Sequence, residues 1–270
     1  MDLTTTFTII GSFAAASSAQ IINHILTQKR EDKKYKKECL QNLYSPTILK
    51  LINLIEYEGA HHCLNSHLQQ EFTNKGELVS LILDNIGANI KYAEPNLINI
   101  YHEIRNNFDI NNLTEALNDT KNTHIWHDII NLTTMFFDRF LEITKLLNAE
   151  GNSINENLKA PNFFCQFYLL FNDCFGRYTT DPDYPTDEFL FSYYDLIEGI
   201  LIPTNNFHIR IIKIRTSIES AFHNYKNQKR VEDSFIDAYQ FFYEISDEFT
   251  IISEERGNEF KDKLDYYINT

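Results

Sequence analysis

The 270-residue chain is punctuated by only 8 glycines and 6 prolines. Hairpin-rich sheets need glycine at their tight turns, whereas helix interiors tolerate neither residue. The chain is therefore predicted to be all-α. Its hydrophobic fraction is 43% and its aromatic fraction 14%. That is enough apolar surface for one large core or two small ones, and it excludes wholesale disorder.

Helical periodicity runs through most of the chain. Ser45-Pro46 reads as a cap and first turn, followed by Ile48, Leu51, Ile52 and Ile55 on a helix heading past Glu58 towards Phe72. Lys75-Gly76 separates it from a helix carrying Leu78, Leu81, Ile82 and Ile86. Pro95 opens a third, with Leu97, Ile98, Tyr101 and Ile104 on one face. Thr123 to Leu147 is the longest clean helix, through Ile129, Leu132, Phe136, Phe140, Ile143 and Leu147. Residues 149–161 are polar, contain Gly151 and Pro161, and read as a long loop or a hinge between subdomains. After an aromatic run at 162–175 and a turn-rich loop at 177–187, further helices are expected near 188–202, 206–229, 231–253 and 258–268. No repeat of solenoid spacing is present, and a single domain over 45–270 is favoured.

The N-terminus is of another kind. Between Asp2 and Lys29 there is no Lys, Arg, Asp or Glu. At about 1.5 Å per residue, such a stretch reaches across a bilayer core. Residues 1–28 are predicted to be a single membrane-spanning helix, and 29–44 a basic juxtamembrane helix. Lys29, Arg30, Lys33, Lys34, Lys36 and Lys37 lie directly after the apolar run. The positive-inside rule then places the chain in the cell membrane as a single-pass protein. Its multi-helix bundle is cytosolic, and the cations are at the membrane surface. A signal peptide would have its cations in front. Gly11, Ala15 and Ala19 recur every fourth residue, a stripe that lets helix backbones approach and self-associate in lipid. The rival reading of this segment is a helix packed in a soluble core or at an oligomer interface.

Net charge is −14 overall, yet residues 29–37 carry +4 and residues 38–270 carry −17. An acidic body disfavours nucleic acid as a general partner. Four scattered cysteines, Cys39, Cys63, Cys165 and Cys174, lack CxxC spacing and read as free thiols. One basic stretch in the body holds Arg210, Lys213, Arg215, Lys226, Lys229 and Arg230 against Glu219, and residues 231–270 that follow are net −8. Opposite charge on neighbouring helices predicts an antiparallel hairpin with paired rims. The same cations form a candidate basic contact face.

Three clusters hold side chains capable of chemistry. Glu58, His61, His62 and His67 are the densest metal-capable group, and Glu58/His61 form an ExxH. A di-iron bundle needs a second ExxH, and none exists, so these four stay weak candidates for a metal. His124, His127 and Asp128 open the long helix, where Thr123 as cap and an acid in the early turns explain the same residues. Asp181, Asp183 and Asp187 lack the glycine and glutamate of a calcium loop. No GxxxxGK[ST], GxGxxG or GxSxG occurs, so no catalytic residue and no cofactor are assigned.

The expected function is that of a non-enzymatic, membrane-anchored helical interaction protein. It would bind lipid through its N-terminal helix, form a homo-oligomer, and engage a protein partner whose identity the sequence does not reveal. A subunit of a bacterial or phage defence or counter-defence complex is one such setting. Two alternatives stand beside it: a soluble helical metalloprotein or enzyme using Glu58, His61, His62 and His67, and a helical nucleic-acid-binding protein using Arg210 to Arg230.

Overall fold

The computed structural model describes residues 24, 26–62, 75–107, 113, 117, 123–148, 153–176, 187–201, 206–223 and 228–269, with only the backbone at some segment edges. Among the described residues the regular elements are all helices, and there is no strand.

Helix α1 (26–39) is exposed over its first turns, and its second half borders the body, where Asp32, Tyr35, Lys36 and Cys39 line a pocket with Glu94, Pro95 and Arg139. Lys29, Arg30, Lys33, Lys34 and Lys37 are exposed and Lys36 is half-buried. Among the described residues the first buried one is Cys39. A π turn, Leu40–Tyr44, carries α1 into α2 (Ser45–His62) without a break. The sequence predicts a new helix start at Ser45, but Ser45 has helical dihedrals, φ −61 and ψ −40. The wide turn lies immediately before Pro46, where the backbone ladder must absorb a missing N–H. Leu43 and Tyr44 on this turn enter the core.

Helix α3 (Lys75–Ala88) packs on α2, where Asn85 Nδ2 donates to Thr47 Oγ1 at 2.9 Å. Helix α4 (Pro95–Asn107) begins with proline in its first position, where no N–H is required. It buries Leu97, Ile100, Tyr101 and Ile104. Helix α5 (Thr123–Leu146) puts Ile129, Leu132, Phe136, Phe140 and Ile143 into the core, and α4 lies against it. Arg139 on α5 reaches Glu94 at 2.6 Å, fixing the entry to α4. Past the end of α5, Asn148 adopts φ 55, the left-handed conformation asparagine tolerates.

The polar stretch 149–161 is not all loop. It holds α6 (Ser153–Asn157) and the first turn of α7 (Lys159–Phe171). Pro161 falls within that first turn, where it breaks no helical bond. Every residue of α7 from Pro161 to Phe171 is buried. A helix apolar on all sides must be surrounded. Helices α2, α5, α9 and α10 supply the surround. A second π turn, Asn172–Gly176, extends α7.

Helices α8 (Asp187–Phe191) and α9 (Tyr194–Leu201) follow, then α10 (Asn206–His223), α11 (Gln228–Ile252) and α12 (Glu254–Asn269). Gly59 lets α2 touch α9, since a Cβ there would lie 2.4 Å from the Tyr194 ring. Helices α10 and α11 form the antiparallel hairpin that their opposite charges predict, joined by Arg210–Glu244 at one end and Ser217–Ser234 at the other. Helix α12 folds back along α11. Lys261 pairs with Asp247 at 3.2 Å, and Tyr243 donates to Asp265. Near the corner a Cβ on Gly257 would lie 2.3 Å from the Thr250 backbone nitrogen, so the close crossing requires glycine.

One continuous apolar cluster runs from Cys39 to Leu264. Its densest part is aromatic: Phe171 lies 4.7 Å from Phe175, 5.4 Å from Phe242 and 6.2 Å from Tyr267, centroid to centroid.

Among the described residues no helix is long and apolar enough to cross a membrane. The described part of the predicted anchor, 24 and 26–28, is helical and exposed. Residues 1–23, and with them Gly11, Ala15 and Ala19, lie outside the described residues.

Candidate functional site

The fold brings together a polar network that no motif announces. Asn162 and Gln166 sit one turn apart on α7, so they share a face of an otherwise apolar helix. Both are buried, Asn162 to 1% exposure. Gln166 Nε2 donates to Asp138 Oδ2 at 3.2 Å, and its Oε1 accepts from Arg215 Nη1. Arg215 reaches across from α10, with Asp173 Oδ2 3.9 Å from its Nε and Glu219 Oε1 3.6 Å from its Nη2. The second π turn is what sets Asp173 beneath that guanidinium.

Asp138 is exposed along one edge of α5, but its carboxylate faces this network. Desolvation raises its pKa, opposed by Arg215 and by hydrogen bonds from Gln166 and Asn162. These bonds also fix the amide orientations. A carboxylate only accepts, so Asn162 must present its NH2 to Asp138 and its Oδ1 the other way. That Oδ1 is buried and accepts no hydrogen bond from the protein.

Asn162 also lines a cavity of about 380 Å³ between α5, α6, α7 and α10. Leu141, Leu158 and Ile209 form its apolar walls, and Asn155 and His208 complete the polar lining. Glu156 and Lys159, paired at 2.6 Å, also border it and are exposed. Burial lowers the pKa of His208, so the ring is neutral at pH 7, with one nitrogen donating and one accepting. An apolar pocket with a few convergent polar groups is the general form of a small-molecule site.

The residues singled out by sequence are distributed differently. Glu58 is buried to 1% exposure, and Lys75 Nζ lies 3.5 Å from its Oε2. His61 and His62 end α2 with only their backbones described, and Cys63 and His67 lie outside the described residues. Among the described residues no group of three or more His, Cys, Asp or Glu could hold a metal ion. His127 and Asp128 are half-buried on α5, His124 is described by its backbone, and the acidic loop at 181–186 lies outside the described residues.

Cations of the basic stretch face in different directions. Arg210 Nη2 donates to Glu244 Oε1 at 3.0 Å on the α11 rim, Lys213 is exposed, and Arg215 points into the network. Lys226 lies outside the described residues, and of Lys229 and Arg230 only the backbone is described. The described cysteines, Cys39, Cys165 and Cys174, are free and buried. Burial pushes all three thiols up, which keeps them protonated at neutral pH and poor as nucleophiles.

Sequence reasoning missed Asn162, Gln166, Asp138, Arg215 and His208 as a group. The available signal was the pair Asn162/Gln166 at i, i+4 within an apolar run. Two polar side chains on one face of such a helix need buried partners. The chain matches no family model, no curated protein and no solved structure.

Proposed function

We propose that this is a non-enzymatic helical interaction protein, tethered to the cell membrane by residues 1–28, with its body on the cytoplasmic side. It acts there as a self-associating subunit that engages a protein partner. The observation that carries the reading is α1. Its cations Lys29, Arg30, Lys33, Lys34 and Lys37 are exposed. The ion pairs described on it are loose i, i+4 pairs at 4.0 Å, Lys34–Glu38 and Lys36–Asp32. Cations held in this way remain available to anionic headgroups, where each is worth about 1 kcal/mol near the surface. The apolar run directly precedes them in sequence. Protonated, buried thiols favour binding over covalent chemistry.

The test uses the full chain, because Leu43 and Tyr44 belong to the core and a truncation near Ser45 would unfold it. The full chain is expected in the membrane fraction of expressing cells. Ala15→Arg, which places a charge in the middle of the span, is expected to shift it to the soluble fraction. A charge at the centre of a spanning helix opposes insertion by about 2.5–3.5 kcal/mol. Equal partitioning of the two proteins sinks the tether.

A further inference from the structure

We propose that the outer face of α12 is the docking surface for α1 of a second copy of this chain, the two helices lying antiparallel. This docking rests on the self-association read above, whose surfaces it names, and not on the membrane tether.

Two stripes match residue for residue. On α1, Leu26, Arg30, Lys33 and Lys37 follow one another by steps of four, three and four, the spacing of a single helix face. On α12, Glu255, Glu259, Asp262 and Tyr266 follow by the same steps. Antiparallel alignment sets Lys37 against Glu255, Lys33 against Glu259 and Arg30 against Asp262. The fourth position pairs two apolar side chains, Leu26 at 46% exposure and Tyr266 at 43%.

Both stripes are uncovered within the chain, and all eight residues are exposed. Helical spacing puts the α1 stripe away from Asp32, Tyr35 and Cys39, by which that helix borders the body. It puts the α12 stripe away from Gly257, Phe260 and Leu264, which that helix buries. Among the described residues no ion pair engages Arg30, Lys33, Lys37, Glu255, Glu259 or Asp262. On α12 itself, Arg256 and Lys261 turn to Asp195 and Asp247, and Lys263 flanks the stripe.

Helix α1 runs into α2 without a break, so it does not swing onto its own α12, and a second copy supplies the complement. Exposed ion pairs are weak singly. Three in one register set partner and orientation, as flanking charges do in coiled coils. Lys29 and Lys34 lie to either side of the α1 stripe and stay open to headgroups.

The test co-expresses two differently tagged full-length copies, one Lys33→Cys and the other Glu259→Cys, and treats the cells with a short bismaleimide. Both positions are exposed, so the fold tolerates the changes. A cross-linked heterodimer is expected. Glu31→Cys, exposed on another face of α1, is expected to give no more product than an unsubstituted copy in its place. Asp262→Lys, added to the Glu259→Cys copy, faces Arg30 with a like charge and is expected to cut the product at least about fivefold. Arg30→Glu, added to the other copy, is expected to restore it to within about twofold. Equal product from Glu31→Cys, product unchanged by Asp262→Lys, or no restoration by Arg30→Glu each overturns the proposal. Membrane and soluble fractions are read separately. Heterodimer in the soluble fraction supports this contact and removes the tether. A membrane-bound chain that yields no heterodimer keeps the tether and overturns this contact.

Discussion

Phe167 and Phe171, on one half of the surface of α7, meet rings from α11 and α12, whereas Asn162 and Gln166 on another face meet Asp138 and Arg215 from α5 and α10. Both halves are buried. In the aromatic half the contacts are many and non-directional, with Phe171 touching Phe175, Phe242, Phe260 and Tyr267. In the polar half they are few and directional, and the chain of bonds ends at Asn162, whose Oδ1 is buried without a protein donor. The first arrangement provides stability. The second costs desolvation and yields a fixed geometry, the combination that binding sites are built from.

The largest expected effect breaks the aromatic half. Phe171→Ala is expected to destabilise the protein by about 3–5 kcal/mol, read as a lower urea midpoint. A loss below about 1 kcal/mol would show that the neighbouring rings collapse into the gap, and that this half is as adaptable as the other is rigid.

Next comes the polar half. Arg215→Ala removes the donor to Gln166 and the cation beside Asp173 and Asp138, and is expected to cost about 1.5–3 kcal/mol in the same assay. It also frees the Gln166 amide to turn, while the aromatic half stays packed.

The smallest effect is a pH dependence. His208 has its pKa lowered by burial, so the unfolded chain binds a proton there more readily than the folded one. Its contribution to stability is therefore fully present above the unfolded value near 6.5. It is lost progressively as pH falls towards the folded value. Thermal midpoints measured downwards from pH 7.5 should decline more steeply in the wild type than in His208→Gln. Parallel curves would mean that the histidine titrates alike in both states.

Much of the fold is legible in the sequence, for a physical reason. Helices α4 and α5 each bury one stripe, so Leu97, Tyr101 and Ile104, or Phe136, Phe140 and Ile143, recur at helical spacing. The α10–α11 hairpin is legible because charge complementarity survives into Arg210–Glu244. The region 149–161 misleads because its polar residues serve two ends. Asn155 and Glu156 border a cavity, and Pro161 sits in a first turn, yet in sequence all three look like loop. Ser45-Pro46 misleads in the same way, since a π turn lets the helix run on through the proline. The cavity itself was illegible. Leu141, Asn155, Asn162 and His208 come from four helices and share no spacing, so only the packing of those helices brings them together. Glu58 shows the converse, a residue conspicuous in an ExxH whose observed neighbour is Lys75.

The continuity of α1, the first π turn and α2 has a mechanical consequence. Residues 26–62 are helical throughout, a rod of roughly 55 Å at about 1.5 Å per residue. Its outermost turns are exposed, and its inner part is clamped by Leu43, Tyr44 and the Gly59–Tyr194 contact. Such a rod has no swivel. A tilt or twist imposed on its outer end acts as a lever on the bundle, with the π turn as its most compliant point.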